Sequence, residues 1–498
     1  MLTKNFTQQD WVRDRVQEQA RCPYVQTGRD FIPGQEILCH LEAHRSPDAG
    51  RVKAILQKSL AVQNLTPEET AVLLQVDDDG LLAEMRETAL KVKLKVYDNR
   101  IVTFAPLYMG NYCVNNCVYC GFKASNLSTR RRVLSEEEIR QEIAVLAGEI
   151  GHKRLVVVYG EHPANDVDYI VDSIRGIYDV RIQRQGKEAG IRRVNVNAPS
   201  FSVEDLKKIK DVGLGTYQVF QETYHRPTFE RVHPQDTIKG HYLWRLYSMH
   251  RAFDAGIDDV GIGVLFGLYD WKYEVMALVY HALELERCFG IGPHTVSFPR
   301  LEPALNTPSR ENNPHRVDDK DFLKLITVLR LAIPYTGMIV TAREPAPIRR
   351  AAVSCGVTQL DASSKIGVGD YGEGIRSQTE DRQQFILGDT RSLDEVIRDL
   401  AQMGNITSFC TAGYRCGRTG KSIMELLRKG TEGKFCKLNA ILTFKEWLDD
   451  FASEETRRVT APLLARELEQ VRRQALPHAR LFESYFERIE RGERDLYI

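Results

Sequence analysis

Charge of one sign is missing from this chain. Lysine plus arginine and aspartate plus glutamate number 68 each, for a formal net charge of +0. No global field therefore draws it toward nucleic acid or an anionic membrane. Long hydrophobic runs are missing as well: no uninterrupted apolar stretch approaches the ~20 residues of a membrane helix. The opening Met-Leu-Thr-Lys-Asn-Phe-Thr-Gln-Gln-Asp lacks the apolar segment of a signal peptide. Cysteine is sparse, 10 in 498 residues, which excludes a disulfide scaffold and fits a reducing compartment. These absences predict a cytoplasmic enzyme with no membrane and no nucleic-acid partner.

A glycine-rich dinucleotide loop after the first strand is also absent, and that decides between two architectures. Residues 1–95 read as helical and charged, with a helix start at Thr66-Pro67-Glu68-Glu69 and an amphipathic pattern from Leu81 toward Lys95. From Ile101 the texture changes to short apolar runs: 101–104, 155–159, 194–197, 217–220, 260–264, 295–298, 338–341 and 358–360. Helical stretches separate them, two opening on capping boxes, Ser135 to Glu138 and Ser202 to Asp205. Alternation of this kind predicts a parallel sheet, and so many units predict a closed barrel. A doubly wound open sheet would carry the missing loop. The predicted fold class is therefore α/β, a TIM-type (β/α) barrel over residues 96–370. A helical region (1–95) precedes it, and a mainly helical extension (371–498) follows.

The most informative run is Asn-Tyr-Cys113-Val-Asn-Asn-Cys117-Val-Tyr119-Cys120-Gly-Phe. Three thiolates this close can surround one iron–sulfur cluster. A zinc knuckle or three unrelated thiols are the alternatives. Zinc wants a fourth Cys or His at short range, and residues 121–135 hold neither. A four-iron cluster normally takes four protein ligands, so three leave one iron open to another molecule.

The spacing C-x3-C-x2-C, with Tyr119 before the last cysteine, resembles the radical S-adenosylmethionine superfamily. The resemblance implies a 4Fe-4S cluster on Cys113, Cys117 and Cys120 whose open iron holds S-adenosylmethionine. Reductive cleavage of that cofactor releases a deoxyadenosyl radical. Tyr159-Gly160-Glu161, at the end of the next strand, resembles the superfamily's Gly-Gly-Glu element, which receives the methionine amino group. Tyr159 stands where the first glycine is expected, so its side chain must point away from the ligand. Tyr119, Gly160 and Glu161 are accordingly expected at the cofactor. Asn195 and Asn197 alternate along one strand and share a face. Their amides either reach the cofactor or are core amides satisfied by neighbours.

A narrower resemblance follows. Val194-Asn-Val-Asn197, Gly215-Thr-Tyr217, Phe220-Gln-Glu-Thr-Tyr-His225 and 256–267 are similar to the tyrosine lyases that mature iron–iron hydrogenases, the HydG family. So are Gly292-Pro-His294-Thr295, Pro334 to Ile339, Arg343-Glu344, Ser408 to Ala412, Tyr414-Arg415 and Gly417-Arg418-Thr419-Gly420. The similarity runs in order over roughly residues 95–455. A near relative, the 2-iminoacetate synthase of thiamine biosynthesis (ThiH), performs the same cleavage with a shorter C-terminal region.

The resemblance implies a carbon–carbon lyase acting on L-tyrosine. The Cα–Cβ bond breaks, giving p-cresol and dehydroglycine. In the maturases dehydroglycine passes to a second, auxiliary iron–sulfur cluster and becomes carbon monoxide and cyanide, destined for the hydrogenase active-site cluster. Reduced ferredoxin or flavodoxin is implied as electron donor, and other hydrogenase maturation proteins as partners. Arg343 is the candidate clamp for the tyrosine carboxylate, since a guanidinium gives bidentate recognition; the alternative is an ion pair with Glu344 or a helix carboxylate. His294, in its Gly-Pro-His-Thr setting, is implied to hold an extra iron of the auxiliary cluster; without that context it reads as a core histidine. The family's C-x2-C-x22-C pattern is broken here. Cys410 and Cys436 keep the outer positions, but Gly413 replaces the middle cysteine and a cysteine appears at Cys416. Either Cys416 supplies the missing thiolate or the auxiliary cluster is lost. An enzyme that stops at dehydroglycine and a non-catalytic iron–sulfur carrier therefore remain open, and deoxyadenosine released only with tyrosine separates them. Cys22, Cys39, Cys288 and Cys355 are isolated and are expected to be packing residues.

Overall fold

Buried strands must pair every backbone polar group, and eight strands here do so by closing on one another. The computed structural model describes residues 7–184, 186–308, 313–417, 419–428, 432–474 and 478–498. The barrel strands are, in order, Arg100–Gly110, Arg154–Tyr159, Arg193–Asn197, Tyr217–Gln218, Val260–Gly263, Thr295–Ser297, Gly337–Val340 and Gln359–Asp361. Each pairs in parallel with the next, and the ring closes where Val102, Thr103 and Phe104 register with Gln359, Leu360 and Asp361. All eight fall on the apolar runs legible in the sequence. The first strand is buried along its whole length, as expected where helices cover the outside and side chains fill the inside.

The helix starts explain the phasing. Ser135 and Glu138 form the expected reciprocal capping box, as do Thr66 and Glu69. At Ser202 only half of the expected box forms. Its hydroxyl accepts from the Asp205 N–H at 3.3 Å, while the Asp205 carboxylate turns to Arg15 at 2.7 Å. N-terminal helices wrap the barrel, Asp79–Tyr97 packing on Asp319–Ala332.

The C-terminal region is joined to the barrel sheet. Ile406–Ser408 pairs in parallel with the start of the first strand, Arg100 to Val102. Helix Glu432–Asp450 packs on that ninth strand. The Glu446 carboxylate, buried, receives Lys153 Nζ at 2.6 Å and Arg192 Nη2 at 2.5 Å. The charged tail folds as helices Glu454–Gln474 and Ala479–Glu490, packed on Leu393–Gln402 and on Glu432–Asp450 respectively. Among the described residues no helix is long and apolar enough to cross a membrane.

Candidate active site

The first strand ends at Gly110 and runs straight into the cysteine loop, so the three thiols sit at the C-terminal mouth of the barrel, where barrel chemistry resides. A cavity of about 240 Å³ opens there, lined by Cys113, Cys117, Cys120, Gly160, Glu161 and Arg343 among others. Asn115 Nδ2 donates to Glu161 Oε2 at 2.6 Å and lies 3.7 Å from Cys113 Sγ. Gln384 Nε2 donates to Cys120 Sγ at 3.4 Å, while its Oε1 accepts from the Tyr108 hydroxyl at 2.9 Å. Burial pushes the Cys117 thiol up to about 11 and raises Cys113 and Cys120 as well. Three thiolates at this depth are tenable only against a cationic metal centre.

The residues present fit the cluster and cofactor. Beyond the thiols, a Cβ at Gly160 would lie 2.2 Å from the Tyr112 carbonyl oxygen, so only glycine allows this close backbone approach. Tyr159 points outward as required: its hydroxyl meets Ser173 Oγ at 2.9 Å and its ring packs edge-on against Tyr169. Both partners lie on helix Val167–Asp179. Tyr119 and Asn197 also line the cavity. The Tyr119 hydroxyl is 2.7 Å from His233 Nε2, and His233 Nδ1 lies 3.0 Å from the Phe229 carbonyl. A carbonyl only accepts, so Nδ1 carries the proton and Nε2 receives the Tyr119 hydroxyl. Burial holds His233 neutral, well below the usual histidine range.

Asn195 is not at the cavity. It lies two residues nearer the strand's start than Asn197, one layer deeper, and its Oδ1 accepts from the Thr216 N–H at 3.0 Å. Sharing a face with Asn197 did not give it the same depth.

Electrostatics supply what the sequence did not single out. Lys239 Nζ at 2.7 Å and Arg245 Nη2 at 3.3 Å converge on the same oxygen of Glu222. Burial alone would raise the Glu222 carboxyl, but the two cations prevail and hold it below the usual range. Two cations on one carboxylate leave net positive charge in the cavity wall. Arg343 follows the strand Gly337–Val340 and lies over the Phe385 ring, 3.3 Å from its centroid. It makes no hydrogen bond or ion pair among the described residues. Glu344, its alternative partner, is taken by Arg300, whose Nε is 2.9 Å from Glu344 Oε1. Asn115 sat inside the cysteine run and Glu222 near a strand end, the latter at a positive φ of 72°. Lys239, Arg245 and Gln384 come from loops and a helix with no local pattern to mark them.

The auxiliary site is different. Cys410, Gly413 and Cys436 line one small cavity together with Arg100 and Thr443. The middle position of the pattern thus faces the site, and it holds a glycine. Cys416 is not brought there. It caps the short helix Ala412–Arg415, its N–H bonded to the Ala412 carbonyl at 3.0 Å, and it is exposed. Three residues along a helix advance the side chain almost a full turn down the axis, and here that turn ends at the surface. Two thiols do not meet the needs of a four-iron cluster, so these residues do not fit the auxiliary cluster. His294 precedes the strand Thr295–Ser297, at the barrel's N-terminal end, with Nδ1 buried and unbonded among the described residues. Arg418 lies outside the described residues.

The sequence matches the family model of the Radical SAM superfamily over residues 107–279 and that of the Biotin and Thiamin Synthesis associated domain over 297–406. The 2-iminoacetate synthase of Escherichia coli (strain K12) is 28% identical over 71% of this chain and 89% of its own length. The FeFe-hydrogenase maturase HydG from Carboxydothermus hydrogenoformans is 36% identical, with a TM-score of 0.73 over 91% of this chain and 99% of that one. A further HydG crystal structure is 47% identical, with a TM-score of 0.88 over 94% of this chain and 100% of that one. With more than nine-tenths of its length matched at these identities and the radical SAM model matching its barrel, the chain belongs to the HydG family of radical S-adenosylmethionine enzymes.

Proposed function

We propose that this chain cleaves the Cα–Cβ bond of L-tyrosine to p-cresol and dehydroglycine. The observation that carries the reading is Arg343, a guanidinium with no hydrogen-bond or ion-pair partner among the described residues, lining the same cavity as the cluster cysteines, with Phe122, Leu265 and Leu301 among its apolar walls. Burial disfavours its charged form and lowers its pKa, and an arriving carboxylate is the group that offsets that cost with a two-point contact. When bound, the cluster and S-adenosylmethionine supply an electron and a radical able to take hydrogen from the tyrosine amino group. Arg343 fixes the carboxylate, so the amino group is presented in one orientation. Glu161, held by Asn115, receives the methionine ammonium, and the net charge of Lys239, Arg245 and Glu222 suits the cofactor's carboxylate. The apolar walls around the cysteines keep water from the reacting atoms. A reduced ferredoxin or flavodoxin is the electron source we assign.

The donor set at Cys410, Gly413 and Cys436 favours one endpoint over another. Without an auxiliary cluster, dehydroglycine leaves the enzyme and takes up water to give glyoxylate and ammonium; carbon monoxide and cyanide are not formed. The test is anaerobic incubation of the iron- and sulfide-reconstituted protein with S-adenosylmethionine, reductant and tyrosine. Equal amounts of p-cresol and glyoxylate are expected, with deoxyadenosine released only when tyrosine is present. Consumption of a different amino acid, or no tyrosine-dependent deoxyadenosine as a carrier would show, overturns the reading.

A further inference from the structure

On the outside of the barrel, the exposed end of helix Trp271–Phe289 carries Glu284 and Cys288 one turn apart on the same face. The neighbouring helix Ser248–Asp254 presents His250 to them. One ligand atom from each of these three residues lies within 4.8 Å of the other two. None of the three lines the cluster cavity, and the catalytic reading uses none of them.

His250 is the telling member. The residue is 2% exposed, and neither ring nitrogen has a hydrogen-bond partner among the described residues. The aromatic rings of Tyr24, Tyr247 and Phe289 lie around it, 4.7 to 5.4 Å between centroids, and none of them is hydrogen-bonded to either ring nitrogen. A buried imidazole left unbonded is costly, unless a third party occupies the space it faces. Cys288, by contrast, is exposed, although an isolated cysteine is expected to be buried. Its Sγ lies 3.6 Å from Glu284 Oε1.

We propose that His250, Glu284 and Cys288 form a divalent metal site suited to Zn²⁺. One imidazole nitrogen, one carboxylate oxygen and one thiolate sulfur are the three donor types that zinc accepts in tetrahedral sites, the fourth place going to water. The thiol proton passes to solvent on binding, and no electron is transferred. Arg287 and Arg29 now hold the Glu284 carboxylate, at 2.8 and 3.3 Å. Their side chains are 59% and 55% exposed. Such surface pairs are weak, and both guanidinium groups can turn to water as the ion takes their place. The ion would pin the two helices together and give His250 the partner it lacks.

The test uses the full chain with its iron–sulfur cluster reconstituted, so that Cys113, Cys117 and Cys120 are occupied. Zinc chloride is added, excess is removed by desalting, and zinc is measured by elemental analysis and zinc-edge X-ray absorption. About one zinc per chain is expected, with a single sulfur at ~2.3 Å and the remaining scatterers nitrogen or oxygen. Cys288→Ala, an exposed change, should lose that zinc. His250→Phe, which suits the aromatic surroundings, should lose it too. Both should keep the wild-type iron content. Wild type retaining no zinc, Cys288→Ala retaining as much as wild type, or a shell of two or more sulfurs would each overturn the assignment.

Discussion

Replacing Arg343 with leucine tests the substrate clamp, because the structure isolates what the side chain does. Its guanidinium has no hydrogen-bond or ion-pair partner to lose among the described residues, Glu344 being bound by Arg300. It lies over the face of Phe385, 3.3 Å from the ring centroid. Removing it forfeits a cation–π contact of about 0.5–2 kcal/mol and relieves the desolvation of a buried charge, so the two changes nearly offset and Tm should barely move. Tyrosine binding, by contrast, loses a charge-assisted contact worth about 1.5–3 kcal/mol. At about 1.4 kcal/mol per decade that is a rise of roughly 10- to 150-fold in the tyrosine concentration for half-maximal p-cresol formation. Arg343→Lys, which keeps the charge but not the two-point fork, should fall between. The assay is anaerobic p-cresol production against tyrosine concentration, with thermal unfolding of each variant alongside. An unchanged tyrosine dependence would refute the clamp. A large drop in Tm would show instead that Arg343 holds the fold together.

Cys113→Ala, Cys117→Ala and Cys120→Ala should each abolish deoxyadenosine production, since a three-thiolate site has no spare ligand; normal production from any of them would defeat the cluster assignment. Iron analysis of reconstituted wild type should give about four irons per chain rather than about eight, unchanged in Cys416→Ala, and Gly413→Cys should add a second cluster because position 413 faces Cys410 and Cys436. Iron lost from Cys416→Ala would reverse that conclusion. Glu446→Gln should cost about 3–5 kcal/mol in chemical denaturation by leaving Lys153 buried without its anion, while Arg192 keeps only Asp495 at 2.9 Å. Burial works against the Glu446 carboxylate, yet Lys153 and Arg192 hold its folded pKa below the unfolded one. Its contribution is therefore full above the unfolded value of about 4.3 and falls away as the pH drops through and below it. Acid unfolding should be shallower in the Gln variant, and an identical pH profile would contradict the buried triad.

The barrel was legible because its signals are local and repeated. Each strand is a short apolar run, and caps such as Ser135 with Glu138 mark where helices begin. The cysteine loop was legible because its spacing is itself the ligand geometry. What stayed hidden depends on depth and distance. Asn195 and Asn197 share a face, but only the fold shows that one is a layer below the other. Lys239 and Arg245 reach Glu222 from segments with no periodicity to distinguish them. Cys416 is close in sequence to the position it was expected to fill, and only the helix path shows its sulfur at the surface. Cys288 was expected to be packed, and its proximity to His250 crosses two helices.

The parallel pairing of Ile406–Ser408 with Arg100–Val102 bears on how this protein can be taken apart. In a chain cut after the eighth strand, the first strand would show an uncovered row of N–H and carbonyl groups at its start. Bare edges of that kind recruit other chains. The same strand ends in the cysteine loop, so any disorder at that edge lies on the very segment that positions the thiols. Trimming the C-terminal region to obtain a minimal catalyst should therefore yield aggregates and poor cluster uptake, unless the Ile406–Ser408 segment is kept or the exposed edge is blocked with a charge.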